Sequence, residues 1–337
     1  MKWSRRVLAA IAVLIVAAVG YTLLTAPGGK RPVGFQMTQS AGPDGKPFMI
    51  GVWYPTTARS WPTTLIGPTL LNVAKDGPVA GTSLPLVVIS HGNGGGIASH
   101  VDLALALASA GYVVAAPMHN GDNFMDQGGV GSPAFFNTRS EQFKASTDHM
   151  LKAWPGSAHI DASKVGAFGF SMGGFTVQAA VGAQPDLRLI ASHCAKAKDF
   201  ACDMLRHFKS AYANAQPKAG QPFVADPRIK AAVLVAPGMG FAMGEHALEG
   251  VRAPLQLWMG DKDDKVTDPG PVGKRGGAKV ESHTVAGAGH LSFMAPCSGL
   301  LRPPELCADP GDFDRAAFHA TMNADVLAFF DRNLKRP

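Results

Sequence analysis

Residues 165–180, VGAFGFSMGGFTVQAA, constrain this chain more than any other stretch. An apolar run from Val165 to Phe170 climbs to one serine, Ser171. Gly169 precedes it, Gly173 and Gly174 follow it, and a helical pattern then begins. G-x-S-x-G between a strand and a helix has a mechanical reading. The sharp turn forces its central residue into a strained backbone region. Side chains two positions to either side would collide, so glycine occupies those places. The hydroxyl then projects into open space, within reach of a base and a substrate. Free N–H groups at the start of the next helix favour negative charge there. A glycine-flanked serine in an ordinary tight turn is the bland alternative, and the flanking strand and helix argue against it.

The rest of the chain supplies a scaffold for such a turn. Leu84–Ser90 (LPLVVIS) is a nearly continuous apolar run, which suits a strand buried on both faces. Tyr112–Ala116, Ile229–Ala236, Pro254–Met259 and Val280–Val285 read as further strands. Val33–Thr38 and Pro47–Tyr54 flank the turn Gly42-Pro-Asp-Gly and form two more. Helix patterns fall at Ala98–Ala110, at Gly173–Ala183 and at Asp312–Leu334, the last with Phe318, Met322, Val326 and Phe330 four residues apart. Thr138-Arg-Ser-Glu141 has capping-box spacing and opens a helix to about Trp154. Asp161-Ala-Ser-Lys reads as a turn, and Ser60–Gly81 and Gly121–Pro133 as irregular. Alternating strands and helices predict an α/β fold with a mostly parallel central sheet and helices on both faces. A chain of 337 residues with 46% hydrophobic content can bury a large core. No fixed-period repeat is visible, so a solenoid is not expected.

The N-terminus reads separately. MKWSRR is a short basic lead, and Val7–Leu24 is uncharged and apolar. Residues 1–26 therefore read as a secretory signal or a membrane anchor. Residues 27–337 read as one domain, with a polar, cysteine-bearing, cap-like excursion at about 185–225. Either N-terminal reading places the domain outside the cytoplasm, periplasmic or secreted if cleaved, or attached to the inner membrane if not. Four cysteines fit that compartment. They allow three pairings, and Cys194–Cys202 with Cys297–Cys307 is the simplest. Each such short loop stabilises by about 2–3 kcal/mol on the chain-entropy model. A metal site from His193, Cys194, Cys202 and His207 is the rival reading, and its spacing matches no common zinc pattern.

A nucleophilic serine needs an acid and a base, in the chain order Ser…Asp…His for this architecture. The acid should follow a later strand, and Leu255–Met259 leads into Gly260-Asp-Lys-Asp-Asp-Lys-Val. Asp261, Asp263 and Asp264 compete, all three equally at home as solvated turn residues. A turn at Gly260 favours Asp263 as the one that reaches back across the sheet's carboxyl end. The base should lie after the last strand, where Ala286-Gly-Ala-Gly-His290 leaves space around one imidazole. Its ordinary pKa lies near neutrality, as a general base requires. His283, inside a strand, is the competitor and better suits an edge or face position. His100, His149 and His319 fall on helix patterns and read as surface or partly buried. The backbone N–H of Met172 is one oxyanion donor by the motif's geometry. A second should come from Gly92-Asn93-Gly94, and Asn93 is the choice. His119-Asn-Gly-Asp-Asn, after a strand at the same edge, lines the pocket or caps the loop. His119 and Asp122 are too few to hold a metal.

No cofactor is expected. A dinucleotide fingerprint started at Gly92 puts Ile97 where its third Gly or Ala belongs, and no Walker lysine follows. The net charge of +6 is scattered, without a basic stripe interleaved with aromatics, so no nucleic-acid partner is expected.

With ISHGNGG, HNGDN, GFSMGG, the G-x-x-D-x-x-V pattern at 260–266 and GAGHLSF in hand, the chain resembles the α/β-hydrolase superfamily from about Pro47 to Leu334. More narrowly it is similar to the bacterial predicted dienelactone hydrolases and the platelet-activating-factor acetylhydrolases. The resemblance implies a triad of Ser171, Asp263 and His290, with Asn93 and Met172 as oxyanion donors. It implies a metal-independent serine esterase acting on a small-molecule ester or lipid-like substrate. There are departures. Dienelactone hydrolases carry a cysteine where this chain has Ser171. The acetylhydrolases take their acid from the strand before Leu255–Met259, and here that strand ends Val235-Ala-Pro-Gly without a carboxylate. Lactones, thioesters and peptides remain alternative substrates, and a hydrolase-shaped binding or scaffolding protein at the membrane is the alternative without turnover.

Overall fold

A computed structural model describes residues 2–65, 70–214, 222–274, 280–298 and 303–335. Residues 215–221 of the expected excursion lie outside them. The strands are β1 (Val33–Ala41), β2 (Pro47–Pro55), β3 (Trp61–Thr64), β4 (Leu70–Lys75), β5 (Leu84–Ser90), β6 (Val113–Pro117), β7 (Ile160–Phe170), β8 (Ile229–Val235), β9 (Leu255–Gly260) and β10 (Val280–Val285). The helices are α1 (Lys2–Leu24), α2 (Val101–Ser109), α3 (Phe135–Lys152), α4 (Met172–Ala180), α5 (Leu189–Cys194), α6 (Phe200–His207), α7 (Ala211–Asn214), α8 (Pro271–Lys274), α9 (Pro304–Cys307) and α10 (Arg315–Phe330).

Among the described residues the strands form one sheet in the order β10-β9-β8-β7-β5-β6-β2-β1-β4-β3. From β10 to β6 every neighbour is parallel. β2 joins β6 antiparallel, and β1 joins β2 the same way. The period of two along each strand splits the apolar residues between two cores. Leu84, Leu86 and Val88 of β5, with Val165 and Ala167 of β7, face the core under α3 and α4. Val87, Ile89, Phe168 and Phe170 face the one under α2 and α10. That two-sided burial explains why β5 and residues 165–170 of β7 carry almost no polar residues. On α10, Met322, Val326 and Phe330 are buried in the second core.

Three sequence expectations need correction. The stretch 60–81 is not irregular throughout: β4 pairs with β1, and β3 pairs antiparallel with β4 as the edge strand. Pro62 hides them from a propensity reading, since proline is tolerated only at a sheet edge. α3 begins at Phe135 rather than at Thr138, and the Thr138 N–H already donates to the Ala134 carbonyl at 2.8 Å. Burial of Phe135 and Phe136 draws the helix start back, so the capping-box spacing marks no cap. Residues 161–164 belong to β7 itself, and Asp161 Oδ1 accepts from the Ser163 N–H at 3.0 Å within the strand.

α5–α7 occupy the described part of the excursion. Ile190, Cys194, Cys202 and Leu205 pack into the core beneath α3 and α4. Both cysteine pairs are disulfides, Cys194–Cys202 and Cys297–Cys307. Residues 6–24 of α1 are exposed or half-buried, and Arg6–Leu24 is long and apolar enough to cross a membrane.

Candidate active site

The parallel strands deliver their following residues to one end of the sheet, the carboxyl edge where open α/β sheets place their sites. β7 delivers Ser171, β9 delivers Asp263, β10 delivers His290, and β5 and β6 deliver the loops at 91–96 and 119–126. Ser171 has φ 54° and ψ −118°, a region that L-residues with side chains rarely enter. Its N–H donates to the Val235 carbonyl at 2.9 Å, and its own carbonyl accepts from the Gly238 N–H at 2.9 Å. The strain is thus held from both sides by the end of β8 and the residues after it. The glycines are steric necessities. A Cβ on Gly169 would lie 2.2 Å from the Gly173 carbonyl oxygen, and one on Gly173 would lie 1.9 Å from the Ser90 carbonyl oxygen.

The structure brings the three expected side chains together. His290 Nε2 lies 3.0 Å from Ser171 Oγ, and His290 Nδ1 lies 2.8 Å from Asp263 Oδ2. Asp263 Oδ1 accepts from the N–H groups of Lys265 at 2.9 Å and Val266 at 2.8 Å. Asp263 and His290 are buried, whereas Asp261 and Asp264 are exposed. Asp261 instead accepts from the Gly287 N–H, and Asp264 pairs with Lys265 Nζ. Phe170 lies against the His290 ring, with centroids 4.8 Å apart. Ser292 ties the segment down: its Oγ accepts from the Gly289 N–H at 3.0 Å and donates to Asp309 at 2.6 Å. His283 sits on edge strand β10, stacked on Trp258, as a face histidine would.

Asn93 and Met172 both border the space around Ser171. The loop bearing Asn93 is fastened to Asp122, whose Oδ1 accepts from Asn93 Nδ2 at 2.6 Å and from the Gly94 N–H at 2.8 Å. Asp122 pairs through Oδ2 with Arg139 of α3, and both side chains are almost wholly buried. In the sequence, the capping-box spacing of its neighbours hides Arg139. Behind it lies a satisfied polar network. Arg139 Nη2 donates to Ser90 Oγ, which donates to His119 Nε2; His119 Nδ1 donates to Gln142 Oε1. The His119 N–H donates to His91 Nε2, and His91 Nδ1 donates to the Gly92 carbonyl. Burial, reinforced by the Arg139 charge, pushes His91 down to about 3 and His119 well below the ordinary histidine range. Asp122 therefore caps the loop, and both it and His119 are wholly buried.

His100 and His319 also depart from expectation, for both are buried. Burial pushes His100 down to about 4. His319 bridges the Asp102 carboxylate at 2.7 Å and the Ser292 carbonyl at 2.9 Å, bracing the His290 segment from α10. The metal reading is removed by chemistry. His193, Asp199 and Cys202 do cluster, but Cys202 Sγ is bonded to Cys194, so neither cysteine offers a thiolate. His193 Nε2 lies 2.6 Å from the Asp199 carboxylate, and its ring stacks on Phe241.

Two cavities flank Ser171. One of about 460 Å³ runs along residues 92–99 and is lined by Phe124, Phe170, Leu291, Met294 and Leu306. The other, about 170 Å³, is lined by Met172, His193, Met204, Gly238 and Phe241. Phe200 of α6 and Lys265 border both. A larger cavity, about 720 Å³ between residues 240–249 and 268–274, does not include Ser171.

Comparison with known proteins agrees with this architecture. The family model for platelet-activating factor acetylhydrolase, isoform II, matches residues 58–125, which include the Asn93 loop and Asp122. No curated protein matches the sequence. The solved structure of a ferulic acid esterase from Streptomyces cinnamoneus superposes with a TM-score of 0.61 at 20% identity, covering 93% of each chain. A prolyl endopeptidase structure gives a TM-score of 0.47 at 13% identity over 90% of this chain and 39% of its own. The chain has the α/β-hydrolase fold, as the motifs led one to expect.

Proposed function

We propose that this protein is a serine ester hydrolase that works through an acyl-enzyme intermediate at Ser171. The observation that carries the reading is the hydrogen-bonded chain Asp263–His290–Ser171, ending on a hydroxyl in a strained turn beside two cavities. Asp263 faces Nδ1, so that nitrogen holds the proton and Nε2 is free to accept. Ser171 Oγ attacks the ester carbonyl carbon while its proton passes to His290 Nε2. The carbonyl π electrons move onto oxygen, where the N–H groups of Met172 and Asn93 receive the charge. One such donor is worth about 3–4 kcal/mol of transition-state stabilisation. Collapse of the intermediate breaks the bond to the alcohol oxygen, and His290 returns its proton to the leaving alcohol. Water then repeats the sequence on the acyl-serine, releases the acid and restores the hydroxyl.

The cavity linings support a division of labour. The larger one is mostly apolar and suits an aryl or alkyl group; the smaller one, with His193, Asp199 and Asp268 on its wall, suits a compact, more polar group. The family match and the esterase likeness support an ester over an amide substrate. The two disulfides and the apolar α1 support an exported domain, with α1 as signal or anchor. A fluorophosphonate probe and a series of nitrophenyl esters test the central claim. The wild type is expected to be labelled and to hydrolyse them, and Ser171→Ala to do neither; equal labelling of both proteins refutes it.

A further inference from the structure

The proposed reaction needs two backbone donors, on two different segments, aimed at one oxygen. Met172 begins α4, and Asn93 lies in the loop after β5. Among the described residues one buried side chain is bonded to both segments. Arg139 Nε donates to Thr176 Oγ1 at 3.1 Å, and Thr176 Oγ1 donates to the Met172 carbonyl at 2.9 Å. On its other side, Arg139 Nη2 donates to the His91 carbonyl at 2.5 Å and to Ser90 Oγ at 3.2 Å. Nη1 pairs with Asp122, which holds the Asn93 side chain and the Gly94 N–H. A continuous set of bonds thus runs from Asn93 through Asp122, Arg139 and Thr176 to Met172.

We infer that Arg139, with Asp122, is a positioning pair that sets the spacing between the two oxyanion donors. This rests on the esterase reading above. A buried ion pair is a poor device for stability alone, since an apolar pair of similar volume serves as well or better. What the planar guanidinium supplies is directional: a rigid fork fixes several acceptors at once. Here those acceptors belong to the two segments that must stay in register. Gly94, at φ 64°, lies within the turn closed by the Gly95 N–H to the Gly92 carbonyl at 3.0 Å, so the Asp122 tether grips the loop at that turn. Neither Arg139 nor Asp122 borders either cavity beside Ser171, which distinguishes positioning from contact with substrate.

The test separates this role from folding. The double variant Arg139→Met, Asp122→Leu removes both charges together and leaves no unpaired one buried. It is expected to melt within a few degrees of the wild type, with kcat for a nitrophenyl ester reduced about 100-fold and KM changed less than threefold. That loss is the low end of what removal of one oxyanion donor costs elsewhere. A trifluoromethyl ketone, whose adduct carries an oxyanion, should weaken in proportion to kcat, while a non-hydrolysable ether analogue should bind as before. Arg139→Lys keeps the charge but not the fork and should restore little of the rate. A folded double variant with kcat within threefold of wild type overturns the inference. Should that variant not fold, Asn93→Ala decides. It cuts the side-chain tether but keeps the backbone donor, and is expected to lower kcat about tenfold at unchanged KM; a wild-type kcat there overturns the inference. Activity surviving in Ser171→Ala is a separate result, which removes the esterase reading itself.

Discussion

Replacing Asp263 by asparagine tests which of three neighbouring carboxylates serves the histidine, and the structure fixes how the new amide must sit. Oδ1 of Asp263 accepts from two backbone donors, the N–H groups of Lys265 and Val266. An amide turned the other way would set its NH2 against both of them. The carbonyl oxygen of the new side chain would therefore keep that side, and its NH2 would face His290 Nδ1. That nitrogen must then accept, so the ring proton moves to Nε2, where it points at Ser171 Oγ. The base would now donate to the group whose proton it should take. A wrong tautomer of this kind costs about 10⁴ in kcat in a related triad, or about 5.5 kcal/mol of barrier. The fold should barely register the change, because both backbone bonds survive. About 1 kcal/mol is the ordinary scale for one altered hydrogen bond, and a shift of a few degrees in melting temperature is expected. The assay is steady-state hydrolysis of a nitrophenyl ester beside a thermal melt, with Asp264→Asn as control. Asp264 is exposed, with 73% of its side chain open to solvent, and should tolerate the change without loss. An Asp263→Asn enzyme within tenfold of wild type, or an Asp264→Asn enzyme that fails, would refute the reasoning.

Two further outcomes are expected. His91, His100 and His119 are buried with folded pKa values below the unfolded value of 6.5, near 3 for the first and 4 for the second. The unfolded chain therefore takes up protons that the folded one refuses, so the stability these groups leave intact above pH 6.5 is lost as pH falls toward 4. The limiting slope is about 1.4 kcal/mol per pH unit for each histidine, or about 4 for three. Urea midpoints measured from pH 7 to 4.5 check this, and a flat profile contradicts it. The second concerns export: the chain recovered from its host should have no alkylatable thiol, and mass spectrometry should find it either shortened near Ala26 or whole in the membrane fraction. A soluble cytoplasmic chain starting at Met1 with reactive thiols contradicts the proposal.

The parts of the fold that sequence conveys best are those where burial leaves few choices. Leu84–Ser90 and Val280–Val285 have the same limits in pattern and in structure. Gly169 and Gly173 can be understood before coordinates, because only the absence of a side chain lets strand and helix meet at Ser171. The antiparallel pair of β3 and β4 is not legible. Edge strands bury one face or none, so their apolar signal is thin, and Trp61 stays mostly exposed. The pattern locates α3 but not its start, because tertiary burial of Phe135 and Phe136 outweighs local capping chemistry. Nothing in the sequence singles out Arg139. A lone arginine on a helix ordinarily reads as solvated, and only the return of the loop bearing Asp122 reveals that it is enclosed. The burial of His100 and His319 escapes a sequence reading similarly, since their partners, Phe168 and Asp102, lie far away along the chain.

Phe200, which stands between the two cavities, is carried by a short helix pinned through Cys202 to Cys194 rather than by any strand of the sheet. On the proposed reading, chemistry and selectivity therefore reside in separable hardware. Mutational drift, or a protein engineer, can reshape the partition by rewriting the stitched module at 189–207 while the bond-breaking apparatus at the sheet's edge stays untouched. New substrate preferences should accordingly be won first by substitutions there, at little risk to the reaction itself.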